Sequence, residues 1–214
     1  MNKSYNTYNY LYNRKFLLSF FFSILFLLFS LIVNYFLGQF ATEKASNPVT
    51  DLILSNIPVF DIDGIFIYGP LIFWLISFFF FISRPHTILF TIKSISIFIL
   101  IRSCFMSLTH LGPFPLEIPI TSSIFINKFS FSGDLFFSGH TGLPFLLALI
   151  FWRNKPWRYF FIISSIFFGI VVLLGHLHYS IDVLSAFFIT YTIYHIAKTF
   201  FKKDLKLFKE GFTT

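Results

Sequence analysis

The sequence predicts an all-α protein, a bundle of six membrane-spanning helices, and three observations carry that prediction. Hydrophobic residues make up 56% of the 214 residues and charged ones only 12%, too apolar a balance for a soluble domain of this size. Six apolar runs recur along the chain, most of them close to the ~20 residues a helix needs to cross a hydrocarbon core. Most charges fall between those runs, and their sign alternates from one connection to the next, as the positive-inside rule requires of a polytopic membrane protein.

Residues 1–15 form a polar, tyrosine-rich segment carrying Lys3, Arg14 and Lys15. The first apolar run, 16–40, is too long for a signal-peptide core and ends in no small-residue cleavage site, so it reads as a span. The connection 41–64 holds Glu43, Asp51, Asp61 and Asp63 against Lys44, with Pro48 and Pro58 interrupting any helix. The second span, 65–83, ends at the turn Arg84-Pro85-His86. The third, 87–105, contains Lys93, expected to snorkel to the inner surface, and Arg102 near its outer end. The connection 106–137 cannot be one helix because of Gly112, Pro113, Pro115 and Pro119, and its apolar content suits packing on the membrane face. A short fourth span, 138–152, stops at a basic turn with Arg153, Lys155 and Arg158. The fifth and sixth cover 159–174 and 178–197. The chain thus divides into a cytoplasmic segment (1–15), a membrane domain (16–200) and a basic cytoplasmic tail (201–214) with Lys202, Lys203, Lys206 and Lys209.

With the N-terminus in the cytoplasm, both termini and nearly all the connecting basic residues lie inside. The outer connections keep Lys44 and Lys128 but six of the nine acids: Glu43, Asp51, Asp61, Asp63, Glu117 and Asp134. The formal charge of +7 therefore reports membrane topology and argues against a nucleic-acid partner. The single cysteine, Cys104, excludes an internal disulfide and reads as a small packing residue.

This topology sends four chemically active side chains from three spans to one outer face: Arg102, His140, and the pair His178 and Asp182. Ionisable groups at the edge of apolar spans are costly to keep and point to function. His178 and Asp182 are four apart, on one face of a helix. There a carboxylate fixes the imidazole tautomer for a nucleophile or base, or the two are a polar tie between helices. In Ser138-Gly139-His140 the glycine admits a close ligand and the helix start offers N–H groups to anionic oxygens, or the serine merely caps a helix. Arg102 either meets a phosphate in two-point geometry or snorkels to the interface.

Taken together, these motifs resemble the type-2 phosphatidic acid phosphatase superfamily, and its sphingomyelin synthase branch most closely. The resemblance rests on Gly133-Asp134 with Ser138-Gly139-His140-Thr141, and on the run His176-Leu177-His178-Tyr179-Ser180-Ile181-Asp182. Weaker support comes from the stretch 102–113 and from Pro48 to Asp51. The phosphatase branch carries a Lys seven residues ahead of an Arg-Pro, whereas here Ser77 precedes Arg84-Pro85, on the wrong face. That branch also places Ser-Arg where this chain has Val171-Val172.

The resemblance implies a membrane phosphotransferase with a phosphohistidine at His178, oriented by Asp182. His140 would protonate the departing lipid oxygen and later deprotonate an incoming lipid alcohol. Arg102, Ser138 and Gly139 would serve the phosphate, His176 would support from nearby, Asp134 would either orient His140 or hold the headgroup amine, and Glu117 would meet the cationic headgroup. Glu117 also reads as an ordinary solvated loop acid. The expected partners are membrane lipids: a phospholipid donor and a ceramide or diacylglycerol acceptor. No metal or cofactor is called for. The expected setting is a bacterial inner membrane, with the site on its non-cytoplasmic side. The rival readings are a lipid phosphatase using the same histidines, and a transporter or inactive scaffold on the same fold.

Overall fold

The computed structural model of the chain describes residues 13–115, 133 and 135–211. Among them the regular structure is entirely helical: α1 (Arg14–Glu43), α2 (Asp63–Ile82), α3 (Ile88–Leu108), α4 (Gly139–Ile150), α5 (Lys155–Leu174), α6 (Ser180–Phe200) and α7 (Lys202–Glu210). Single 3-10 turns occur at Leu54–Asn56 and Pro85–Thr87. Helices α1, α2, α3, α5 and α6 are long and apolar enough to cross a membrane. The protein is therefore a membrane helical bundle, as the composition predicts. Helix α4 differs. Its 12 residues extend only ~18 Å, well short of the ~30 Å hydrocarbon thickness.

What α4 lacks in length it makes up in burial. Leu146, Leu147 and Ala148 are wholly buried, and the helix packs against α3, α5 and α6. The approach is close: a Cβ on Gly142 would stand 2.7 Å from the Phe98 ring and 2.9 Å from the Thr190 hydroxyl. Ser165 Oγ donates to Thr141 O at 2.7 Å, fastening α5 to the first turn of α4. Around this centre, α1 packs on α3 through the small residues Ser23, Ser30, Gly38 and Ala41, which let backbones approach in a bilayer. Its other face shows Phe21, Phe22, Phe29 and Phe36 outward. Aromatic side chains join α2 to α5: Phe73 meets Phe160, Phe161 and Phe168, and Phe80 stacks on Trp157 at 3.9 Å.

The segment after α6 is an amphipathic helix rather than an extended tail. Phe208 of α7 packs on Phe90 and Phe151, and Asp204 pairs with Lys93 at 2.7 Å. Lys93 also donates to Ser19 Oγ at 3.3 Å. Its ammonium is thus held by a carboxylate that α7 supplies. Cys104 is exposed on the outside of α3 rather than packed. The start of α4 lies beside Arg102 near the end of α3 and is bonded to the first turn of α6 through Ser138 N and Asp182 O. Further hydrogen bonds run from Phe60 N to Leu174 O at 2.9 Å and from Ser46 N to His110 O at 2.8 Å.

Candidate active site

Helix α6 begins at Ser180, so His178 lies in the turn before it and not on the helix. The expected same-helix pair is instead a turn-to-helix pair, and it still closes. Asp182 is in the first turn, where its Oδ2 accepts from Tyr179 N at 2.9 Å. The same oxygen lies 3.4 Å from His178 Nδ1, and Leu135 O lies 2.8 Å from that nitrogen. Both partners can only accept, so Nδ1 carries the proton. In the neutral imidazole the lone pair is then on Nε2. His178 and Asp182 are both buried, at 5% and 0% exposure, so the pair is shielded from competing water.

The segment from Leu135 to Gly139 links this pair to the rest of the site. Leu135 O faces His178, while Phe137 O accepts from Arg102 Nε at 2.7 Å. Ser138 N donates to Asp182 O at 3.1 Å, and Ser138 Oγ accepts from Thr141 N at 3.4 Å to cap α4. A Cβ on Gly139 would lie 3.2 Å from Arg102 Nε. Glycine here lets the guanidinium lie against the start of α4. Arg102 is buried, at 7% exposure, with its Nε turned inward to the protein, so the snorkelling reading does not hold.

His140 projects from the first turn of α4 toward α2 and α5. Its ring stands 4.6 Å from that of Phe66 and 6.4 Å from that of Phe168. With Arg102, Gly139, Phe73, Trp74 and Phe168 it lines a cavity of about 180 Å³. His178 is not among the residues lining that cavity; it meets the other end of the 135–139 segment. Next to the cavity, between α2 and α5, runs an apolar groove of about 560 Å³ with Gly69, Ile72 and Phe167 in its wall. Phe73 and Phe168 line both spaces.

His176 is buried at 1% exposure and sits in left-handed backbone with φ 56°. Its ring packs edge-on to Phe114 at 5.2 Å, and burial lowers its pKa. It supports the turn that presents His178. Asp134 and Glu117 lie outside the described residues. His110 is exposed, with Nε2 3.2 Å from Ser107 O, and is not among the residues lining the cavity.

Sequence reasoning missed the work of Asp51 and Tyr179. Asp51 Oδ2 accepts from Ser180 N at 2.7 Å and Ser180 Oγ at 2.8 Å, at the start of α6. Its Oδ1 accepts from Ile53 N and Leu54 N. Burial pushes this carboxyl up, but the hydrogen bonds from Leu54, Ser180 and Ile53 outweigh it and hold the pKa below 3.8. Tyr179 Oη donates to Gly112 O at 2.8 Å and accepts from Val49 N at 3.2 Å. The segments bearing Val49 and Gly112 are thereby strapped onto the turn bearing His178. The signals were the weak resemblance from Pro48 to Asp51 and the place of Tyr179 in the run from His176 to Asp182.

The family model described as PAP2 superfamily C-terminal matches residues 132–199, a stretch that contains His140, His178 and Asp182. The match supports the type-2 phosphatidic acid phosphatase superfamily, and with it a lipid phosphatase or phosphotransferase type of activity acting on membrane lipids. No curated protein and no solved structure matches the chain.

Proposed function

We propose that this protein is a sphingomyelin synthase-like phosphotransferase, moving phosphocholine or phosphoethanolamine from a phospholipid to ceramide or diacylglycerol through a phosphohistidine. The observation that carries the reading is the double acceptor environment of His178 Nδ1, which leaves Nε2 as the nucleophilic lone pair. His178 does not line the cavity that His140 and Arg102 share, so the transfer requires the phosphate to lie where both rings reach it; in the first step Nε2 then attacks phosphorus and the bond to the diacylglycerol oxygen breaks. His140, as imidazolium, gives that oxygen its proton. In the second step the lipid alcohol attacks phosphorus, His140 takes the alcohol's proton, and the phosphorus–nitrogen bond breaks. Each step inverts phosphorus, so the overall transfer retains configuration. Arg102 stabilises the charge on the phosphoryl oxygens as it moves.

Two features favour a lipid alcohol over water as the second nucleophile. The walls beside His140 are aromatic and apolar, and the adjoining groove suits an acyl chain. The site faces the non-cytoplasmic side, with both termini inside. The test is reconstitution with headgroup-labelled phosphatidylcholine plus ceramide or diacylglycerol. Label passing to the acceptor supports transfer, and label released to water replaces it with the phosphatase reading. Full activity of His178→Ala would overturn the mechanism.

A further inference from the structure

At the end of the bundle away from His140 lies a larger basin of about 1000 Å³. Its floor is the buried end of α4, at Leu149, Ile150 and Phe151. Five cationic side chains rise around it from separate parts of the fold. Arg84 comes from the α2–α3 turn, Arg153 and Lys155 from the α4–α5 turn, Lys198 from α6 and Lys209 from α7. Among the described residues no acid lines the basin and none of the five cations forms an ion pair. The two acids of α7 are engaged elsewhere, Asp204 with Lys93 at 2.7 Å and Glu210 with Lys206 at 3.9 Å. Lys198 and Arg84 instead rest over the rings of Tyr194 and Phe80. Like charges converging on one concavity repel one another, and a bound anion relieves all of them together.

The geometry points to a binding site for a phosphate-bearing anion in this basin, separate from the site at His140. Two sources supply such a group: the headgroup of an anionic phospholipid in the adjacent leaflet, or a soluble phosphate. Basic hollows between helix ends at a membrane surface recognise anionic headgroups in this manner. The basin differs from a diffuse basic surface because its cations are gathered over an apolar floor. Lys202 and Lys203 of α7 are exposed, as Arg84, Arg153, Lys155 and Lys209 are, but lie outside it.

The test is thermal unfolding of the purified chain in neutral detergent with phosphatidylglycerol, phosphatidylcholine or inorganic pyrophosphate. A rise in Tm of about 5 °C at saturation with phosphatidylglycerol alone, lost in R153Q/K155Q/K198Q and kept in K202Q/K203Q, establishes the lipid source. The same pattern with pyrophosphate establishes the soluble source. No rise with either anion, or a rise undiminished in the triple variant, overturns the site. If the triple variant does not melt cooperatively, the exposed positions decide: Lys155→Gln and Lys209→Gln each have to weaken apparent affinity about threefold or more, and unchanged affinity in both overturns it.

Discussion

At the residue scale, the site depends on which nitrogen of His178 is protonated. Asp182 holds that proton from one side and the Leu135 carbonyl from the other. Asp182→Asn keeps the shape but can donate where only an acceptor belongs. We expect it to lower kcat by about 10²–10⁴-fold, by analogy with the loss when an orienting carboxylate becomes an amide, while the melting temperature moves far less. Steady-state transfer assays beside a thermal melt check this. Gly139→Ala tests the opposite face. Its Cβ, 3.2 Å from Arg102 Nε, requires the guanidinium to shift by a few tenths of an ångström. Such a shift should lower kcat/KM about threefold or more, and an unchanged kcat/KM in the variant would argue that Arg102 does not serve the phosphate.

At the element scale, the turn before α6 is held by partners distant in sequence. Asp51 is the clearest case, because its carboxylate both closes its own turn and receives the first N–H of α6. Asp51→Asn should destabilise the fold by about 2 kcal/mol, the cost of weakening buried hydrogen bonds to a charged acceptor. The sign with pH follows from the depressed pKa. The folded value lies below 3.8, so the stabilisation is fully present above 3.8 and is lost as pH falls through the folded value. Melts of wild type and variant should therefore converge only in strong acid. The spans were legible in the sequence because lipid demands unbroken apolar runs, and observed ends fall within a few residues of the expected ones. Helix α7 was not legible: its lysines read as a basic tail meeting anionic headgroups, and its packing depends on Phe90, Phe151 and Lys93, far away in the chain.

At the scale of the whole molecule, the two ends of the bundle differ in charge and in chemistry. The end bearing His140 carries Asp51, Asp61 and Asp63, while the other gathers Arg84, Arg153, Lys155 and α7. In a Cys104→Ser background, Leu52→Cys, at a position 84% exposed, should react with a membrane-impermeant maleimide in intact cells. Lys203→Cys should react only after permeabilisation. The reverse pattern would turn the proposed topology over. The motif residues of the site were legible because their spacing is local. The arrangement that joins them was not, since Leu135 and Phe137 act through carbonyl oxygens, which every residue possesses.

The shortness of α4 has a consequence for which lipids this protein can use. Arg102 stands six residues before the end of α3 at Leu108, and Phe168 six before the end of α5 at Leu174. The start of α4 therefore sits about 9 Å below the neighbouring helix ends. A headgroup has to descend that distance and surrender part of its hydration before reaction. A headgroup that neutralises itself, with an amine beside its phosphate, sheds water more cheaply than one with net charge. On the proposed transfer reading, that depth disfavours donors with net charge relative to zwitterionic ones, apart from whatever Arg102 returns to the phosphate.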